Sequence, residues 1–108
     1  MKTVDVAAAN ELSIGSMHSF QLEGKNILVA NVAGKYCAIN GVCTHLGGDL
    51  SKGKLEGKIV TCPRHGSQFD VTTGECVLGP KIAFIRLKTK QEPVYEVKVD
   101  GGRILINI

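Results

Sequence analysis

The sequence predicts an all-β domain, a small sandwich or barrel-like stack of antiparallel sheets. Three observations predict it. Thirteen glycines punctuate the 108 residues, and long helical periodicities are scarce, which together read as short strands joined by tight turns. Runs rich in β-branched residues recur between those glycines. One run, Val94–Val99, alternates, with Tyr95, Val97 and Val99 on one face and Glu96 and Lys98 on the other.

Taken in order, Ala7–Leu12 is the one stretch read as a short helical turn. Ile27–Val32 is β-rich, Ala33–Lys35 turns, and Tyr36–Ile39 returns, which makes a hairpin. Leu55 and Ile59–Thr61 flank a turn at Glu56–Lys58, a second hairpin. Phe69–Val71 runs into a turn at Thr72–Gly74. Asp100–Gly102 carries an Asp-Gly hairpin signal that leads into Arg103–Ile108.

The length suits a single domain spanning residues 1–108. Trp is absent and aromatics are 5% of the chain, so the core must rest on Val, Ile, Leu and Ala. A net charge of +3, with Lys and Glu interspersed, is too weak a signal for nucleic-acid or membrane binding. There is no apolar run of the roughly 18 residues that a membrane span needs. The opening segment, with Asp5 and Glu11, lacks a secretory pattern, so a cytoplasmic location is expected. In that setting the four cysteines, Cys37, Cys43, Cys62 and Cys76, read as metal ligands or buried thiols before disulfides.

Two stretches carry chemistry. "VCTHLGG" at Val42–Gly48 offers Cys43-x-His45, and "CPRHGSQFD" at Cys62–Asp70 offers Cys62-x-x-His65. Both pairs fall just past predicted strand ends, where a rigid scaffold presents loop ligands. Two thiolates and two imidazoles suit zinc or an iron–sulfur centre, not magnesium or calcium. A structural zinc site would need all four in one tetrahedron, and the single-residue gap of Cys43-x-His45 is short for a zinc knuckle. In a 2Fe–2S cluster, each loop would instead give one ligand to each iron.

These stretches resemble the binding motifs of Rieske 2Fe–2S ferredoxins. "HLGG" after the first pair, "HGSQFD" after the second, the "TTG" turn, Gly79-Pro80 and the closing "EVKVDGGRILI" extend the resemblance over nearly the whole chain. It implies a Rieske-like stack of small antiparallel sheets with two cluster-binding loops. It also implies one 2Fe–2S cluster, with Cys43 and Cys62 on the inner iron and His45 and His65 on the outer iron nearer solvent. Gly47, Gly48 and Gly66 would permit tight turns around the sulfurs, and backbone N–H groups near Leu46, His65, Gly66 and Ser67 would donate to them. Pro80 would shape a third, shielding loop.

The implied role is a soluble one-electron carrier, monomeric in isolation. It would take electrons from a flavoprotein ferredoxin reductase and pass them to a terminal oxygenase or similar acceptor. A permanently bound subunit of a larger oxidoreductase, like the small subunit of nitrite reductases, and a structural zinc domain are the alternatives. The chain is no oxygenase by itself. Once His45 and His65 are used only His18 remains for a mononuclear iron, and there is no glycine fingerprint for a flavin or nicotinamide.

Departures from the high-potential members of the family bear on the redox potential. Their extra loop cysteines, joined by a disulfide, are replaced here by Gly48 and Arg64. Ser67 is kept, but Phe69 stands at the position of their tyrosine. A low-to-intermediate potential within the Rieske span of roughly −150 to +300 mV, below that of the high-potential members, is expected. Cys37 and Cys76 read as thiols outside the cluster, with a mutual disulfide as the lesser alternative, and His18 reads as a strand-surface histidine. Asp49 and Asp70 are expected to offset Arg64, leaving no strong charged patch.

Overall fold

A computed structural model describes residues 3–42, 49–63, 66–78, 81–82, 85–86 and 92–108. Its strands are β1 (Thr3–Ala8), β2 (Met17–Leu22), β3 (Lys25–Val32), β4 (Lys35–Asn40), β5 (Lys54–Glu56), β6 (Ile59–Thr61), β7 (Gln68–Asp70), β8 (Cys76–Leu78), β9 (Lys81–Ile82), β10 (Ile85–Arg86), β11 (Val94–Asp100) and β12 (Arg103–Asn107). They form a six-stranded sheet ordered β1-β12-β11-β4-β3-β2, a four-stranded sheet ordered β5-β6-β7-β8, and a β9–β10 pair. All the registered pairs are antiparallel. Among the described residues no helix is long and apolar enough to cross a membrane.

Two-residue turns set the registers. Glu23-Gly24, Ala33-Gly34 and Gly101-Gly102 all have positive φ at both positions. That is the backbone of hairpin turns whose twist matches the flanking strands. The two sequence-read hairpins and the Asp-Gly hairpin are all present. The β2–β3 hairpin was not foreseen, although its Glu23-Gly24-Lys25 turn repeats the tripeptide read as a turn at Glu56–Lys58.

The helical turn expected over Ala7–Leu12 is shorter than read. Ala7 and Ala8 belong to β1, and only Ala9–Glu11 forms a 3-10 turn. Pairing of Ala7 with Ile104 and Ala8 with Arg103 holds them extended against the local helix preference of alanine. Two side chains then pin the turn: Tyr36 donates its hydroxyl to the Ala9 carbonyl at 2.7 Å, and buried Asn31 donates Nδ2 to the Leu12 carbonyl at 2.8 Å.

The alternation expected along β11 also breaks at its end. Tyr95 and Val97 are half-buried, but Val99 is exposed. β11 pairs with β4 only at Val94 and Tyr95, so by Val99 it has left that neighbour and is covered on one edge alone.

The β3–β4 hairpin is the wall between two cores. Ile27, Val29 and Ala38 pack with Leu12, Ile104 and Ile106 on one face. Leu28, Ala30, Cys37 and Ile39 point to the other, where Leu50, Val60, Phe69 and Val71 bring in the four-stranded sheet. Both faces of this hairpin are therefore buried, which is why it reads as a continuous apolar run. Each buried Ile, Leu, Val or Phe contributes about 1.5–3 kcal/mol. The second core fixes the four-stranded sheet, and with it the Cys62 loop, on the larger sheet.

Candidate metal centre

Of the four sequence-predicted ligands, Cys62 lies among the described residues. Cys43, His45 and His65 lie outside them, as do Leu46, Gly47, Gly48, Arg64 and Pro80. The structure describes the necks from which the ligand loops leave.

The first neck is a closed gate. The Gly41 N–H donates to the Asn26 carbonyl at 2.8 Å, and the Leu50 N–H returns to the Gly41 carbonyl at 3.0 Å. Between them Val42 and Asp49 form an isolated antiparallel bridge. The chain thus leaves at Val42 and is met opposite it by Asp49. Asp49 then accepts from the Ser51 N–H at 3.0 Å and the Ser51 hydroxyl at 2.6 Å, starting the 3-10 turn Leu50–Lys52.

The second neck is built from Cys62 itself. Its N–H donates to the Ser67 carbonyl at 2.7 Å, and the Gly66 N–H donates to the Cys62 carbonyl at 3.2 Å. Gly66 makes this turn at φ +75°, open to glycine and strained for other residues. The Gly66 donor, expected on a cluster sulfur, is engaged inside its own loop.

A close backbone approach joins the necks. A Cβ built on Gly53 would fall 1.8 Å from the Thr61 carbonyl oxygen. Only glycine lets the chain leaving the first loop run against the residue before Cys62. An open hollow results, lined by Lys52, Gly53, Thr61, Cys62, Pro63 and Gly66. Cys62 is 2% exposed and shares an apolar cluster with Leu50, Val60 and Phe69. Phe69 and Ser67 are buried as well.

The acids near the site have structural tasks. Asp70 was expected to offset Arg64 at the surface, yet it is buried. It accepts from the Thr72 hydroxyl and from the Thr72 N–H at 2.8 Å, and pairs with Lys58 at 3.3 Å. Burial alone would raise its pKa, but the Thr72 bonds and the Lys58 ammonium outweigh it and hold the carboxyl below its ordinary 3.8. Asp49 is likewise engaged with Ser51. Both are Asx-type turns, legible as "DLS" and "DVT" had they been read for local hydrogen bonds.

Sequence reasoning missed Glu92 altogether. Its residue is 0% exposed, and Asn40 Nδ2 donates to its carboxylate at 3.1 Å and to the Val42 carbonyl at 3.1 Å. No local pattern announces a buried Glu. Its partner lies 52 positions away.

Cys37 sits in β4, buried, and burial pushes its thiol above the ordinary 9.0. No disulfide joins Cys37 to Cys76, the lesser alternative weighed for them. His18 is exposed on β2, edge-on to Phe20 with ring centroids 4.9 Å apart. Among the described residues no group of three or more His, Cys, Asp or Glu gathers as another metal site.

A cysteine buried at a loop neck, a second neck alongside and an apolar wall fit a cluster clamped between two loops. Comparison with known proteins agrees. The model of the Rieske 2Fe–2S domain matches residues 2–99. The ferredoxin component of the naphthalene 1,2-dioxygenase system of Pseudomonas aeruginosa is 33% identical over 107 residues, 99% of this chain and 96% of that protein. The ferredoxin of carbazole 1,9a-dioxygenase from Nocardioides aromaticivorans IC177 superposes with a TM-score of 0.82 at 28% identity, covering 98% of this chain and 97% of its own. A chain from the complex of reduced oxygenase and oxidized ferredoxin in carbazole 1,9a-dioxygenase superposes with a TM-score of 0.85 at 28% identity, covering 96% and 100%. The protein belongs to the Rieske 2Fe–2S domain family, and the cofactor of such a domain is one 2Fe–2S cluster.

Proposed function

We propose that this chain is a one-electron carrier, built as a single domain over residues 1–108, whose Rieske cluster is held by Cys43, His45, Cys62 and His65. It takes electrons from a flavoprotein reductase and hands them to a terminal oxygenase. It is an electron-transfer component, not an enzyme in its own right. The observation that carries this reading is Cys62, buried at the neck of one predicted ligand loop and packed by way of Thr61 and Gly53 against the neck of the other. The full-length likeness to ferredoxin components of dioxygenase systems supports it.

When bound, the cluster supplies a site that gains and loses one electron. The chain's own residues supply the rest. Cys62 offers a thiolate from a buried position, and Leu50, Val60 and Phe69 keep water from that side. The Val42–Asp49 bridge and the Gly53–Thr61 contact hold the necks of the two loops at fixed spacing. Fixed spacing keeps the reorganisation on electron transfer small. Two neutral imidazoles in place of two thiolates make the centre easier to reduce than an all-cysteine one. A carrier of this kind works in the cytoplasm as a monomer between its partners.

The test is native pull-down with the tagged, cluster-bearing chain, gel filtration, and then anaerobic mixing of the dithionite-reduced chain with the recovered acceptor. We expect a small free species that is re-oxidised as an oxygenase component is reduced, one electron for one. Recovery only as a fixed-stoichiometry subunit of a larger oxidoreductase would contradict it.

A further inference from the structure

Asn40-Gly41 is the one Asn-Gly pair in the chain, and it stands where the chain enters the first neck. The other asparagines, Asn10, Asn26, Asn31 and Asn107, precede Glu11, Ile27, Val32 and Ile108, whose side chains crowd the nitrogen that follows. An Asn-Gly pair has a reaction of its own. The glycine nitrogen gives up its proton and attacks the asparagine Cγ. The new C–N bond closes a five-membered succinimide, and the side-chain nitrogen leaves as ammonia with a proton from water. Water then opens the ring at either carbonyl, leaving aspartate or isoaspartate. In sum, one amide and one water become one carboxylate and one ammonium ion.

Separate structural demands put these two residues together. A Cβ on Gly41 would meet the Asn26 side-chain oxygen and press on the Asn26 carbonyl, so the neck closes best on glycine. Asn40 is there for its amide, which donates to the buried Glu92 carboxylate and to the Val42 carbonyl, each at 3.1 Å.

The same contacts restrain the reaction. Asn40 ends β4, paired with Ile27, and its N–H donates to the Pro93 carbonyl at 2.9 Å. Ring closure requires rotation about its Cα–C bond, out of the extended backbone of a strand. The attacking nitrogen must also lose the proton that Gly41 donates to the Asn26 carbonyl at 2.8 Å. The target amide is anchored at the same time by Glu92 and Val42. Opening of the neck releases all three restraints.

We propose that Asn40 is a spontaneous deamidation site latched by the Glu92–Asn40–Val42 tie, and that its reaction retires chains whose neck has opened. The product cannot close the neck again. A carboxylate at position 40 has no hydrogen to give to Glu92 or to the Val42 carbonyl, and it sets a second negative charge beside a buried one. Isoaspartate also adds a carbon to the backbone at the end of β4, which breaks the register with Ile27. The modification needs only water. Its consequence for the cluster rests on the ligand set proposed above.

The test ages the cluster-bearing chain anaerobically at mildly alkaline pH and follows the peptide holding Asn40 by mass spectrometry. Labelling with an isoaspartyl methyltransferase counts the isoaspartate. Conversion should be at least about tenfold slower than in the same chain held unfolded in urea. Glu92→Ala should speed conversion in native buffer by about fivefold or more. Glu92→Gln, which keeps an acceptor for Asn40, should act in the same direction at smaller size and serves if Glu92→Ala does not fold. Ile106→Val trims the other core, reports a general loss of stability, and should speed conversion less than about twofold. Anion exchange then separates converted from intact chains of one sample, and the converted chains should carry markedly less iron per chain.

Equal conversion in native buffer and in urea, or an acceleration by Ile106→Val as large as that by Glu92→Ala, would overturn the latch. Converted chains that keep their full iron would overturn the retirement. The latch is read on the peptide and the carrier function on its iron–sulfur chromophore, so the two fail separately.

Discussion

Asn40 donates its side-chain amide to the buried carboxylate of Glu92 at 3.1 Å, and the same nitrogen donates to the carbonyl of Val42, the residue before Cys43. One amide therefore ties the end of β4, the residue that leads into Cys43 and the chain entering β11. The backbone repeats the tie, since the Asn40 N–H donates to the Pro93 carbonyl at 2.9 Å and the Glu92 N–H to the Gly74 carbonyl at 2.7 Å.

Asn40→Ala removes a donor from a buried carboxylate, a loss of about 1–3 kcal/mol. Asn40→Asp adds a second carboxylate to the same place and should lose more. Urea unfolding should rank wild type above Asn40→Ala and Asn40→Asp lowest. Iron content after gel filtration should follow the same order, because the tie holds the Cys43 loop.

Gly53→Ala tests the join between the necks. The added Cβ has no room beside the Thr61 carbonyl, so one strand must shift. We expect a loss of about 1–3 kcal/mol and a chain that loads less cluster. Gly57→Ala is the control. Nothing lies within 4 Å of its Cβ, so it carries only the strain of its positive φ, and its cluster loading should stay near wild type.

Asp70 gives a pH dependence with a definite sign. Its folded pKa is below the ordinary 3.8, so its stabilisation is fully present above that value and is lost as pH falls through the lowered pKa. Asp70→Asn should therefore be less stable than wild type at pH 7 by about 1–3 kcal/mol. The gap should narrow below pH of about 4 as the wild-type carboxyl takes up its proton. A gap of constant size across that range would contradict the assignment.

Phe69 is fully buried in the cluster that contains Cys62. It supplies apolar packing where a tyrosine would add a hydroxyl donor. A donor toward a ligand sulfur favours the reduced, more negative state. Phe69→Tyr should then raise the midpoint potential with little change in fold, as read by redox titration beside a circular dichroism spectrum. A lowered potential would contradict this.

The local parts of this account were legible in the sequence. Ala33-Gly34, Gly57-Lys58 and Gly101-Gly102 announce their hairpins through turn chemistry. The rest depends on distant partners. Ala7 and Ala8 are strand because β12 pairs with them, and Val99 is exposed because β4 has ended beside it. The engagement of Asp70 by Lys58, the burial of Glu92 by Asn40 and the need for glycine at position 53 appear only when separate segments meet.

The central claim is that two of the three histidines, His45 and His65, ligate the cluster with Cys43 and Cys62. Pulsed EPR of the dithionite-reduced protein, labelled with nitrogen-15 at histidine, tests it most directly. Couplings from two histidine nitrogens are expected, unchanged in His18→Ala and reduced to one in His65→Cys. A reduced cluster with no histidine coupling, or a chain that binds zinc in place of iron, would contradict it.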